Sequence, residues 1–176
     1  MDILERTPLD RKLLDLFAHG LEGLVLDLAC GPGQVAGYLQ QKGLQVRGMD
    51  LSERMVELAQ EQFPEVDFEV GDLLHLGEHE KFQAITAFYA IVHLSDRQIG
   101  RALEEMFKAL VPGGRLLLTF HSQLLEGQPE YRILPMEQIK AGLQEIGFTL
   151  EVEVQRLPVA DEDRTRRGLI WASRPG

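Results

Sequence analysis

The segment Val25-Leu26-Asp27-Leu28-Ala29-Cys30-Gly31-Pro32-Gly33-Gln34-Val35-Ala36 decides how this chain is read. The apolar run from Leu24 to Leu28 ends in a glycine-rich loop, which marks a strand buried on both faces. Val35 to Gln41 then follows as a helix, stopped by Gly43. Strand, tight loop and helix in that order open a parallel α/β unit. In such a sheet, ligands bind beyond the C-terminal ends of the strands, where strand order reverses. Glycines let the backbone approach a ligand, and the helix N-terminus offers unpaired N–H groups.

The same alternation extends in both directions. Upstream, Leu13, Leu14, Leu16 and Phe17 recur at helical spacing from Leu9 to Ala18, and Gly20 and Gly23 end the pattern. This predicts one helix before the first strand. Downstream, Gln45–Met49 is a second strand. Ser52 caps a helix reaching about Gln62, with Met55, Leu58 and Ala59 on one face. Val66–Val70 and Phe82–Ala90 are the third and fourth strands. Ser95 and Gln98 form a capping-box pair before a helix carrying Leu103, Met106, Phe107 and Leu110. Pro112-Gly113-Gly114 reads as a turn before a fifth strand, Arg115–Phe120. His121 to Leu134 shows no pattern and is expected as a loop. Pro135 suits the first turn of a helix ending at Ile146, with Gly147 as its cap. Phe148–Leu157 and Gly168–Ser173 are strands with no helix between them, hence an antiparallel hairpin.

Composition bounds the function. The chain has 176 residues, 44% hydrophobic and 26% charged, enough for one domain with one core. We expect a single domain over 1–176: an N-terminal helix (1–23), a cofactor-binding core (24–121) and a C-terminal helix and hairpin (122–176). The net charge of −10 argues against nucleic acid and anionic lipid as partners. From Val154 onward five arginines face Asp161, Glu162 and Asp163, a local balance of +2 that reads as a solvated face. Cys30 is the only cysteine, so no internal disulfide forms. The segment MDILERTPLDRK lacks a signal-peptide pattern, and no apolar run is long enough to span a bilayer. A cytoplasmic protein without membrane contact is expected. The five histidines show no metal-ligand spacing, and no metal is expected.

Gly31 to Ala36 also fits the dinucleotide pattern G-x-G-x-x-A. Two residues oppose that reading. Pro32 has no N–H to offer a pyrophosphate, and Asp27 repels phosphate while attracting a cation. Asp50 closes the second strand, 17 residues beyond Gly33, where a carboxylate accepts both hydroxyls of a ribose. Asp72 follows the third strand and suits the amino group of a base. Three carboxylates at successive strand ends fit a ligand with an ammonium group, a diol and an exocyclic amine, and no phosphate. S-adenosylmethionine is such a ligand. Each acid also has a plain structural use: Asp27 as a loop cap, Asp50 as a helix cap beside Ser52, Asp72 as a turn residue.

The ordered set VLDLACGPG, VRGMD, GD after strand three, FYAIVHL after strand four and LVPGG before strand five resembles the class I S-adenosylmethionine-dependent methyltransferases. Within that family the chain is similar to the small stand-alone bacterial enzymes. The resemblance implies a Rossmann-like three-layer α/β sandwich. Its seven-stranded, mostly parallel sheet has one antiparallel strand in the C-terminal hairpin. It implies S-adenosyl-L-methionine as cofactor, with S-adenosyl-L-homocysteine as product. By position, Asp27 would orient the ammonium, and Ala29, Gly31 and Gly33 would let the loop pass close to the cofactor. Asp50 would hold the ribose with Leu51 and Met55 near the adenine, and Asp72 and Leu73 would meet the base. Phe88 and Tyr89 would lie beneath the methionine part. Ala29 replaces a glycine common in the family, and a side chain is tolerated there if φ stays below zero.

The activity implied is direct in-line methyl transfer to a small-molecule acceptor by a monomer or homodimer. His93 and His121, after strands four and five, are the candidate general bases. Two other readings stay open on the residues alone: a non-catalytic S-adenosylmethionine-binding module and an NAD-type oxidoreductase.

Overall fold

The computed structural model describes residues 3–159, 162 and 164–176. Met1 and Asp2, which open the segment read for a signal pattern, lie outside the described residues, as do Asp161 and Asp163 of the tail charge. The elements are α1 (Ile3–Arg6), α2 (Pro8–Ala18), β1 (Val25–Leu28), α3 (Gln34–Gln41), β2 (Val46–Asp50), α4 (Glu53–Gln62), β3 (Asp67–Val70), β4 (Phe82–Phe88), α5 (Asp96–Ala109), β5 (Leu110–Leu124), α6 (Met136–Ile146), β6 (Thr149–Arg156) and β7 (Thr165–Ser173).

One seven-stranded sheet runs in the order β3-β2-β1-β4-β5-β7-β6. Strands β1 to β5 pair in parallel, and β7 is antiparallel to both β5 and β6. The expected Rossmann-like sheet with one reversed strand is therefore present. Helices cover both faces. Leu14 and Phe17 of α2, Leu39 of α3 and Val56 of α4 share one core cluster with Val25 and Leu169. Leu103 and Met106 of α5 and Leu143 of α6 share the other with Ile85 and Ile170. The chain leaves β1 toward β2 and later returns on β1's other side as β4, so a crevice opens between them at the C-terminal edge. No described helix is long and apolar enough to cross a membrane.

Local signals place most boundaries. Ser52 accepts the Met55 N–H, and Gly147 ends α6 in the left-handed region. Three expectations change. Two helices, not one, precede β1, because Ile3–Arg6 adds a short turn before Pro8. Pro112-Gly113-Gly114 lies within β5: Leu110 pairs with Phe82 and Arg115 with Ala84, so the intervening residues bulge from the ladder. There Gly113 N–H donates to the Arg174 carbonyl (2.9 Å) and Arg174 N–H to the Gly114 carbonyl (2.8 Å). The stretch expected as a loop from His121 begins as strand, because β5 continues to Leu124 against β7, which itself starts at Thr165. A register shift between His121 and Gln123 breaks the two-residue period there, so alternation cannot reveal it.

Candidate functional site

The loop after β1 turns back on itself through three residues of positive φ: Ala29 (56°), Gly31 (53°) and Gly33 (82°). Cys30 N–H donates to the Met49 carbonyl (3.0 Å) and Gly33 N–H to the Cys30 carbonyl (3.0 Å), which ties the loop to β2. The expectation that Ala29 keeps φ below zero is thus incorrect. The chain must reverse at once after Leu28 for Cys30 to reach Met49, and Ala29 takes the strain. Its Cβ costs about 1–2 kcal/mol in this region, partly offset by the lower unfolded-chain entropy of alanine relative to glycine. Ala29→Gly is expected to stabilise the protein by about 0.5–1 kcal/mol, raising Tm by roughly 1–4 °C in a thermal melt. An unchanged or lower Tm would place Ala29 outside the left-handed region.

Gly33 also has a packing duty. It caps α3, and a Cβ there would lie 2.7 Å from Phe68 Cζ and 3.0 Å from Ala59 Cβ. The glycine serves helix packing and lies outside the crevice walls. Gly31 does border the crevice, and a Cβ there would meet no atom within 4 Å.

Asp27 is 1% exposed at the end of β1. Its Oδ2 accepts the Ala36 N–H (3.0 Å) and its Oδ1 accepts the Thr86 hydroxyl (2.8 Å). Burial outweighs these bonds and pushes its carboxyl up to about 7. Asp50 sits at the end of β2. Its Oδ2 accepts the Gly31 N–H (2.8 Å) and its Oδ1 the Ser52 N–H (2.9 Å). Asp72 follows β3. Its Oδ1 accepts the Leu74 N–H (2.8 Å), and its Oδ2 lies 2.8 Å from His75 Nδ1. The Leu74 N–H first, then His75, hold this carboxyl below its usual range.

The crevice has two lobes that share Ala29. The larger, about 330 Å³, is walled by Met49, Asp50, Leu51, Asp72, Leu73, Leu74, His93, Leu94 and Gln98, among others. The smaller, about 180 Å³, is walled by Asp27, Cys30, Gly31, Pro32, Gln34, Phe88 and Tyr89, among others. No lysine or arginine is among the wall residues of either lobe. Burial, followed by the nearby Asp27 and Asp50 carboxylates, pushes the Cys30 thiol well above its ordinary value, so Cys30 is inert filling.

The remaining sequence candidates separate. His93 is exposed and lines the larger lobe, on the side of Asp72 and not of Tyr89. Met55 lies on α4 outside the walls of both lobes, and Leu51 lines the larger one. His121 is buried and walls neither lobe. Its ring stacks between Tyr89 (centroids 4.9 Å apart) and Tyr131 (3.7 Å), with Nδ1 2.9 Å from Thr165 Oγ1. Tyr89, at φ 56°, is held by its N–H to the Thr119 carbonyl and hydroxyl, both 3.1 Å. Burial pushes its phenol up to about 12.

Sequence reading missed Tyr131, Gln98 and a charged cluster beyond Tyr89. The Arg156 guanidinium grips Asp10 through Nε (2.8 Å) and Nη2 (2.6 Å), and Glu162 through Nη1 (2.7 Å) and Nη2 (2.9 Å). Arg167 Nε adds a longer contact to Glu162 (3.6 Å), and its guanidinium carbon lies 5.8 Å from the Tyr89 ring centroid. Only Gln98 carried a sequence signal, its place in the capping box.

A family model described as a methyltransferase domain matches residues 25–114. Demethylmenaquinone methyltransferase of Thermotoga maritima is 38% identical over 111 residues, covering 61% of this chain and 48% of that protein. The chain spans about half, or less, of the length of the curated relatives it matches first. In fold it is similar to a SAM-dependent methyltransferase of Methanosarcina mazei, with TM-score 0.81 and 17% identity over 91% of this chain and 97% of that one. It is also similar to magnesium protoporphyrin IX methyltransferase of Synechocystis PCC 6803, solved with bound SAH (TM-score 0.77, 22% identity, 94% and 83% covered). At these identities the two structures speak to the fold.

Proposed function

The chain belongs to the class I S-adenosylmethionine-dependent methyltransferases, and from that premise we propose that its two-lobed crevice binds S-adenosylmethionine for methyl transfer to a small-molecule acceptor. The observation that carries this reading is electrostatic. Carboxylates stand at the ends of β1, β2 and β3 around a crevice walled by neither lysine nor arginine. Such walls favour a cationic, phosphate-free nucleoside and disfavour the pyrophosphate of a dinucleotide. The NAD-type reading loses support on that ground.

The residues present fit the cofactor. Asp50 keeps a lone pair on each oxygen for a vicinal diol after serving Gly31 and Ser52. Asp72 and Leu73 form one wall for a base, and Leu51 another. Asp27, Phe88 and Tyr89 enclose the smaller lobe, which suits the amino-acid end. When bound, the cofactor supplies an electrophilic methyl group. The protein's own part is to align the acceptor with that group and exclude water. His121 lines neither lobe and is enclosed by Tyr89 and Tyr131, so it props the Tyr89 ring and is not placed to act as a base. His93 stands with the base wall, so neither histidine is needed as a general base in this reading.

Asp27 yields a test. Its carboxyl is raised to about 7, so the folded apoprotein binds a proton there that the unfolded chain releases near 4. The stability it contributes is present in acid and is lost as pH rises toward 7. A bound ammonium favours the ionised form and reverses the shift. Affinity for S-adenosylhomocysteine is therefore expected to rise with pH between about 5 and 7, by up to roughly tenfold per unit, then level off. Calorimetric titrations at several pH values check this. Asp27→Asn should flatten the profile, and an equally steep profile in that variant would remove Asp27 from ammonium binding. A melting temperature raised by S-adenosylhomocysteine and not by NADH tests the cofactor itself.

A further inference from the structure

α5 begins with a capping box that uses one end of Gln98. The Gln98 side-chain oxygen accepts the Ser95 N–H (2.9 Å) and the Ser95 hydroxyl (2.8 Å), while the Ser95 oxygen accepts the Gln98 backbone N–H (3.4 Å). Two donors on the carbonyl oxygen leave the amide one orientation, with its NH2 group turned away from the cap. Gln98 also walls the larger lobe, together with Asp72, Leu73 and His93.

The same helix face docks on the loop that carries Asp72. Arg101 Nε donates to the Leu74 carbonyl (2.7 Å), and Glu105 accepts the Gly77 N–H (3.4 Å). Gln98, Arg101 and Glu105 lie three and four residues apart, on one side of α5. Helix and loop are thus joined, and the lobe is lined by both Asp72 and Gln98, whose amide NH2 is not used by the cap. Asp72 stays ionised and keeps unused lone pairs beside its bonds to Leu74 and His75.

We propose that Gln98 is a specificity-determining residue for the nucleobase: its NH2 donates to the bare ring nitrogen of adenine while Asp72 accepts from the exocyclic amine. This rests on the crevice being the S-adenosylmethionine site. The adenine edge offers one donor beside one acceptor, and the pair Asp72 and Gln98 is its complement. Hypoxanthine presents the reverse order, with a carbonyl in place of the amine and an N–H in place of the bare nitrogen. It meets an acceptor with an acceptor and a donor with a donor.

The test uses Gln98→Glu, titrated by calorimetry with S-adenosylhomocysteine and with its deaminated analogue S-inosylhomocysteine. Glutamate closes a capping box as well as glutamine and suits a helix N-terminus, so the fold is kept; a melting curve verifies this. It replaces the donor by an acceptor. The parent protein should prefer the adenosine compound. In the variant, affinity for it should fall about tenfold and affinity for the inosine compound should rise, narrowing the preference by tenfold or more. An unchanged ratio in a parent that binds S-adenosylhomocysteine would overturn the role of Gln98 alone. A parent that does not bind S-adenosylhomocysteine would overturn the cofactor reading, and this assignment with it.

Discussion

Asp50→Ala is expected to weaken S-adenosylhomocysteine binding by at least a hundredfold. The Asp50 carboxylate is oriented before any ligand arrives, by the Gly31 N–H on one oxygen and the Ser52 N–H on the other. Two hydroxyls would then find two charged acceptors already in place. Hydrogen bonds to a charged group contribute roughly 1.5–3 kcal/mol each, so a pair exceeds the roughly 2.7 kcal/mol that corresponds to a hundredfold. Alanine also frees the Gly31 N–H, which lines the smaller lobe, so both halves of the crevice lose definition. Calorimetry at neutral pH reads the loss, and a melting curve of the apoprotein separates it from unfolding. Binding unchanged within threefold would remove the ribose assignment.

A larger effect on stability is expected from Arg156→Met. Arg156 ends β6, yet it holds Asp10 of α2, 146 residues away, and Glu162 between β6 and β7. The side chains of Arg156, Asp10 and Glu162 are only 9%, 10% and 12% exposed. Burial works against the charge on Arg156, but the bonds to Glu162 and Asp10 outweigh it and hold its pKa above the ordinary arginine value. Removing the cation leaves the Asp10 carboxylate short of water and of this partner, and leaves Glu162 with the longer contact to Arg167 and the Val159 N–H. Breaking a buried ion pair in this way costs about 3–5 kcal/mol, which lowers Tm by roughly 6–20 °C in a chain of this size. Replacing Asp10, Arg156 and Glu162 together by apolar residues should recover much of the loss, because a buried ion network is often no more stable than packed hydrocarbon. A Tm drop of less than about 3 °C for Arg156→Met would mean that the cluster is solvated and not a lock between α2 and the hairpin.

The cluster shows where local reading stops. In the sequence Arg156 belongs to a charged tail that reads as a solvated face, since neighbouring charges in a sequence usually share one. Its partner on α2 lies at the other end of the chain, and no local pattern reports a contact at that separation. His121 is a similar case. Its place after an apolar run makes it a candidate general base, but the rings of Tyr89 and Tyr131 enclose it. Tyr131 comes from a stretch without periodicity, so the stack was not legible. The spacing of Ser95 and Gln98 reveals the cap, whereas the place of Gln98 at the larger lobe depends on where α5 docks.

The sequence alone determined the order of strands and helices, the helix-free hairpin at the end and the loop after β1. These depend on short-range rules: side chains repeat every two residues on a strand and about every 3.6 on a helix, and caps and glycines act on their immediate neighbours. It also located Asp27, Asp50 and Asp72 at strand ends, and a parallel sheet necessarily brings such ends to one edge. Tertiary structure decided the rest. It forced Ala29 to positive φ, used Gly33 to admit Phe68, buried His121 and closed the charge cluster from α2 to the hairpin. Each of these is set by which distant surfaces meet and how much water they exclude, and burial of that kind is a property of the packed chain, not of any segment of it.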